Sequence, residues 1–343
     1  MFQVRQEPNC STGGGSDTHF GLRVGSIFVI LVGATCGALF PVLVNRSKRI
    51  NIPGYVLEFA KYFGSGVIFS TAFIHLLSPA LDAFNSPCLP DSWRSYPYVL
   101  ALAMLSLFSL FLIEVIAFRW GTARLARPSL TQGLCSVPIS PYEAHSTTFT
   151  EYETTNGHHH IHLEKGDEET ASPSSKVGPD SAHAQFVSIA ILEFGVVLHS
   201  VLIGLTLAVD EKFIILFVVL VFHQTFEGLG IGSRLALLKV DEKYNWVPIA
   251  GAFLYGFTTP VGIAAGLGVR TTYNPGTATA SAVSGIMDAI SAGILIYASL
   301  VELMAHDFLF NNEMLTASNK RLAFALGSMT LGAALMALLG KWA

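Results

Sequence analysis

Eight apolar runs, each about long enough to cross a bilayer as a helix, narrow the architecture of this chain more than any other feature of its sequence. About 20 residues rising 1.5 Å each span the roughly 30 Å of hydrocarbon in a membrane. Runs of that length lie at Leu22–Val44, Val56–Leu77, Tyr98–Phe118, Phe186–Val209, Phe213–Leu237, Val247–Val269, Ala280–Met304 and Leu322–Leu339. Hydrophobic residues make up 51% of the chain and charged residues only 13%, about half the charged share of a soluble domain, so a soluble core could not hide so much apolar surface. The expected fold is an all-α membrane protein of eight transmembrane helices. The first run follows a polar, Gly- and Ser-rich stretch and lacks a short cleavable pattern, so it is expected to be a retained span and not a signal peptide. The expected organisation is a tail over 1–21, helices one to three over 22–118, a loop over 119–183 and helices four to eight over 184–343.

Lys and Arg orient these runs. Of the 20 in the chain, 13 lie in or beside the connections between runs one and two, three and four, five and six, and seven and eight, 6 lie on the other side with the two tails, and Lys61 lies within a run. Positive residues collect on the cytoplasmic side, so both termini are expected to be extracytoplasmic. Leaving out Lys165 and Lys176 of the long loop gives 11 against 6, which points the same way. A multi-pass protein of the plasma membrane is the expected location. A net charge of −4 with no sustained basic stripe excludes nucleic acid as a partner. Cys10, Cys36, Cys88 and Cys135 show no CxxC spacing, which argues against a cysteine zinc site and a disulfide scaffold; Cys10 and Cys88 can pair if both face an oxidising compartment.

Ionisable groups are costly in hydrocarbon and mark sites by default. The fourth run carries His199 and Ser200, and the fifth carries His223-Gln224-Thr-Phe-Glu227-Gly. His223 and Glu227 are four apart and share a helix face. If His199 faces them from the neighbouring helix, two imidazoles and a carboxylate form a set suited to Zn²⁺ or Fe²⁺, with Ser200 and Gln224 beside it. Glycines at 195, 204, 228, 230 and 232 let the helices around this cluster approach closely.

Other polar positions rank below this cluster. His75, near the end of the second run, suits either ion capture toward the extracytoplasmic face or an interfacial hydrogen bond. Glu193, seven residues before Ser200, shares its face and is a candidate pathway or supporting carboxylate. Glu114, Asp288 and Glu302 sit well inside apolar runs. Glu58 and Lys61, three apart, are expected to pair and snorkel. Thr258-Thr259-Pro260 is expected to break or kink the sixth helix and to free carbonyls along a cavity. The segment Arg119–His183, rich in Ser, Thr, Pro, Glu and Gly, is expected to be a disordered cytoplasmic loop. Within it His158, His159, His160 and His162, followed by Glu164, Asp167, Glu168 and Glu169, offer a metal-binding tract of modest affinity.

These residues carry a family resemblance. The stretch from Glu193-Phe-Gly-Val-Val-Leu-His199-Ser200 to Gly204, the stretch His223-Gln-Thr-Phe-Glu227-Gly-Leu-Gly, the His-rich third loop and His75 resemble the ZIP family (Zrt-, Irt-like proteins) of divalent-metal transporters, most closely its fungal zinc-uptake branch. The resemblance implies a three-two-three helix bundle in which helices one, four, five and six slide against the rest. It implies uptake of Zn²⁺ into the cytoplasm as transported substrate, with Fe²⁺, Mn²⁺ and Cd²⁺ as further candidates. The ligands it implies are His199, His223 and Glu227, with Ser200 and Gln224 beside them. This chain departs from the two-metal pattern of some bacterial members. Ile203 stands where those have a carboxylate, and Thr259-Pro260 stands where they have Glu-Pro, so a second bound metal is not expected. Pro79 stands where plant iron transporters carry Asp. No GxxxxGK[ST] segment occurs, so ATP is not the expected energy source. An intramembrane zinc hydrolase and a non-conducting metal-sensing receptor are the competing readings. No HExxH segment occurs, and a transporter, not an enzyme, is expected. The expected partners are divalent metal ions and the lipid bilayer, and the sequence leaves a homodimer open.

Overall fold

A computed structural model of the chain describes residues 10, 14, 18–47, 52–125, 182–238, 240 and 242–342. The His-rich tract with His158, His159, His160 and His162 lies outside the described residues. Eight helices among the described residues are long and apolar enough to cross a membrane. They are α1 (Phe20–Arg46), α2 (Gly54–Phe84), α3 (Tyr98–Ile116), α4 (Ser188–Val209), α5 (Phe213–Leu237), α6 (Val247–Val269), α7 (Ala278–Phe308) and α8 (Asn319–Leu339). The expected all-α membrane fold is the one observed. Large apolar side chains point outward on these helices, with Phe28, Val32, Met104, Leu105 and Phe222 all half or more exposed. Apolar surface on this scale is stable only against lipid.

Two helices run past the ends expected from sequence. α2 continues beyond Leu77 to Phe84, and α7 continues beyond Met304 to Phe308. Both contain π-helical stretches, Thr71–Leu77 in α2 and Ala298–Ala305 in α7. Pro79 looks like a stop because it lacks an N–H and clashes with the carbonyl four residues back. The π turns directly before it shift the hydrogen-bond ladder by one residue, and the helix passes through. The break or kink expected at Thr258-Thr259-Pro260 is not a break, because α6 is one unbroken helix with Pro260 inside it. The hydroxyl of Thr258 donates to the carbonyl of Tyr255 at 2.7 Å and that of Thr259 accepts from Gln224 of α5, the kind of hydroxyl and neighbour contact that makes proline tolerable inside a membrane helix.

α1, α4, α5 and α6 pack on one another, α2 packs on α8, and α3 leans on α7. The main core lies where these groups join. It draws Ala34 and Ala38 from α1, Ile68 and Ala72 from α2, Leu192 and Val196 from α4, Ile231 from α5 and Leu295 from α7. α1 and α5 approach so closely that a Cβ on Gly228 would sit 2.9 Å from the carbonyl oxygen of Ala34, so only glycine fits there. Arg23 of α1, fully buried, donates to the carbonyls of Leu207 at 3.0 Å and Asp210 at 2.7 Å. It thereby satisfies carbonyls that the end of α4 would otherwise leave unpaired.

Glu58 and Lys61 do not pair with each other as their spacing suggests. Glu58 accepts from Nε of Arg321 on α8 at 2.9 Å. Lys61 lies 2.7 Å from Asp307, which also takes Arg234 at 2.7 Å. A pair three residues apart on one helix contributes only a few tenths of a kcal/mol, whereas the buried Asp307, 3% exposed, would be strongly destabilising without cations around it.

Cys10 of the tail and Cys88 of the α2–α3 connection form a disulfide. It marks one end of the bundle, here the disulfide end, shared by the start of α1 and the end of α4; the other is the far end. Cys36 is free and exposed on α1. Digestion of unreduced protein followed by mass spectrometry should recover the Cys10 and Cys88 peptides as one linked species, while a lipid-soluble maleimide labels Cys36. Recovery of Cys10 and Cys88 as free thiols would contradict this pairing.

Candidate metal centre

Each helix of the central pair brings its polar residues inward for a local reason. His199 and Ser200 follow an apolar face on α4, and His223, Gln224 and Glu227 occupy one stripe of α5, three and four residues apart. In the fold the three strongest donors converge. His199, His223 and Glu227 each offer a ligand atom, and these atoms all lie within 4.8 Å of one another. Their exposures are 2%, 0% and 0%. The rings of His199 and His223 stack with centroids 5.4 Å apart and planes at 21°. Nε2 of His223 lies 3.2 Å from Oε1 of Glu227, close enough to attract yet not aligned as a hydrogen bond.

The unmet bonding capacity of this group matters most. Both ring nitrogens of His199, both of His223, both carboxylate oxygens of Glu227, Oε1 of Gln224 and Oγ of Ser200 are buried without a hydrogen-bond partner. Each such atom costs roughly 1–3 kcal/mol, and buried polar groups elsewhere in folded proteins are paired. Two imidazoles with a carboxylate are a donor set for a borderline dication, and a cation placed among them would satisfy the largest share of these atoms at once.

Other side chains foreseen in the sequence take distinct places. The ring of His75, on the π stretch of α2, packs edge-on against His223 with centroids 4.7 Å apart, and its Nε2 lies 2.9 Å from the carbonyl of Met336. Thr259 joins the centre through the amide of Gln224, whose own backbone carbonyl accepts the hydroxyl of Tyr255 at 2.7 Å. Glu193 lies two turns along α4 toward the far end, with Oε1 buried and unpaired. Asp288 on α7 accepts from Ser284 at 3.2 Å and Glu114 accepts from the hydroxyl of Tyr297. Glu302 lies in the π stretch of α7. None of Glu193, Asp288, Glu302 and Glu114 enters the three-residue group at the centre.

Three polar groups escaped the sequence reading. Tyr255 looks like an ordinary aromatic in an apolar run, and nothing local signals that its hydroxyl holds the α5 backbone. Arg234 and Asp307 sit near run ends, where charges are common; the available signal was that both signs occur at one end of the bundle.

Comparison with known proteins agrees with this geometry. A family model described as ZIP zinc transporter matches residues 20–340. Zinc-regulated transporter 1 of Saccharomyces cerevisiae is 41% identical over 95% of this chain and 88% of its own length. Zinc-regulated transporter 2 of the same yeast is 34% identical over 97% of each, and zinc-regulated transporter 1 of Schizosaccharomyces pombe is 38% identical over 95% of this chain and 86% of its own. With a family match over nearly its whole length and relatives of this identity along it, the chain belongs to the ZIP zinc-transporter family.

Proposed function

We propose that this protein carries Zn²⁺ across a membrane into the cytoplasm, with His199, His223 and Glu227 as the ligands of the transported ion and Ser200 and Gln224 beside them. The observation that carries the reading is the group of buried, unpaired donor atoms at the join of α4 and α5. Two imidazoles and one carboxylate leave room for water on the metal, so the ion can be bound and then released, which a closed four-ligand cage would resist. The names of the related yeast proteins support zinc as the ion. The tail and the disulfide are proposed to face outside, which agrees with the excess of Lys and Arg at the far end and with the oxidising surroundings a disulfide needs. His75, Glu193 and Thr259 are proposed to support or flank the path, and Asp288 and Glu302 to lie along it farther from the centre. The zinc hydrolase and the silent receptor are less favoured, because neither accounts for the family to which the chain belongs. Uptake of labelled zinc by liposomes carrying the pure protein separates all three, and absence of uptake would remove the transport reading.

Replacing His199 or His223 by Ala, or Glu227 by Gln, should lower zinc flux at least about tenfold, since one lost ligand removes 1.4 kcal/mol or more, while the variants insert and remain monodisperse. Wild-type flux in any correctly inserted variant would remove that residue from the ligand set.

The donor set also sets selectivity. Mg²⁺ and Ca²⁺ prefer all-oxygen shells, so neither should compete with zinc uptake at equal concentration; efficient Ca²⁺ competition would argue for a site built from carboxylates such as Glu193, Asp288 and Glu302. Replacing His158, His159, His160 and His162 by Ser should leave flux in liposomes within about twofold of wild type, because a tract of modest affinity contributes none of the three donors His199, His223 and Glu227. Complete loss of flux would make that tract part of the route.

A further inference from the structure

The metal centre is closed at both ends, since its three donors expose 2%, 0% and 0% of their surface. An ion can leave only if packed helices part along some boundary, and the packing offers one. α1, α4, α5 and α6 form one body, and α5 meets α2 of the other along a seam. In the middle of that seam two glycines face each other. A Cβ on Gly230 would sit 2.9 Å from Cα of Gly64, so the backbones touch with no side chain interlocked between them.

One turn further toward the far end the seam changes character. Nη2 of Arg234 donates to Oδ2 of Asp307 at 2.7 Å and to Oγ of Ser65 at 2.5 Å. Oδ1 of Asp307 takes Nζ of Lys61 at 2.7 Å, and the hydroxyl of Ser65 donates to the carbonyl of Lys61 at 2.9 Å. Lys61 and Ser65 belong to α2 and Asp307 to α7. Of the four, only Arg234 comes from α5. It lies seven residues past Glu227, two turns along the same helix face. Ile231, 0% exposed and packed in one cluster with Ile68 of α2, lies between them along the helix.

We propose that Arg234 is a latch: its bonds to Asp307 and Ser65 hold α5 against α2 and α7 and keep the far end of the metal centre shut, and their release opens that end. Lys61 makes the release reversible. When Arg234 departs, Asp307 keeps one cation and is not left as a bare buried carboxylate, the state that makes a broken ion pair costly. The inference rests on the transport reading for its purpose, but its test needs no zinc.

The test uses full-length purified protein in detergent, with Cys36→Ser and Cys135→Ser to remove background thiols and Ile231→Cys as reporter. A charged, water-soluble thiol reagent should label position 231 slowly in this parent. Adding Ser65→Ala, which keeps every charge and removes the hydroxyl's bond from Arg234 together with its bond within α2 to the Lys61 carbonyl, should raise the labelling rate about threefold, and Asp307→Asn should raise it about tenfold or more. Ala252→Cys, fully buried in α6, serves as the control and should stay protected in both backgrounds. Labelling at 252 that rises as fast as at 231 would mean a generally loosened fold and would overturn the latch. So would a parent-like rate at 231 in Ser65→Ala, which decides the matter even if Asp307→Asn fails to fold. Liposomes without zinc flux would overturn the transport reading and leave the labelling result standing.

Discussion

A polar atom buried within the hydrocarbon layer has no water to turn to, and the arrangement of this protein follows from where that penalty is met and where it is left open. Backbone groups are met by winding into helices. Arg23 closes the carbonyls at the end of α4, Tyr255 holds the carbonyl of Gln224, and Lys61 with Arg234 neutralises Asp307. Against this background of satisfied groups, the atoms of His199, His223, Glu227, Ser200 and Gln224 stand unpaired together. Their shared deficit is what a bound dication would remove.

Close packing makes such a centre precise. Glycine at 228 lets α1 lie directly on α5, so the stripe bearing His223 and Glu227 is braced from behind. From the front, the π stretch of α2 brings His75 onto His223. A π turn inside a longer helix is uncommon and tends to sit at functional positions; here it changes the direction in which α2 presents its side chains at the level of the metal centre. The same seam carries a smooth contact at Gly64 and Gly230 and a polar one at Arg234, so grip and freedom lie one turn apart.

The apolar runs and the four-residue spacing of His223 and Glu227 determined that the chain forms eight helices fit to cross a membrane, with an imidazole and a carboxylate on one face of the fifth. Run length is set by bilayer thickness and face sharing by the helical repeat, and both are local properties that the sequence states directly. Partners across helices were another matter. Spacing alone paired Lys61 with Glu58 and left a break or kink open at Thr258-Thr259-Pro260; the pairing gave way to a contact far away in sequence, and the break did not form in a helix held by its neighbour. Asp307 lies 246 positions from Lys61 yet holds it at 2.7 Å, and Gln224 reaches Thr259 across 35. A buried charge or hydroxyl must be satisfied by whatever helix the packing brings beside it, and only the tertiary structure decides which helix that is.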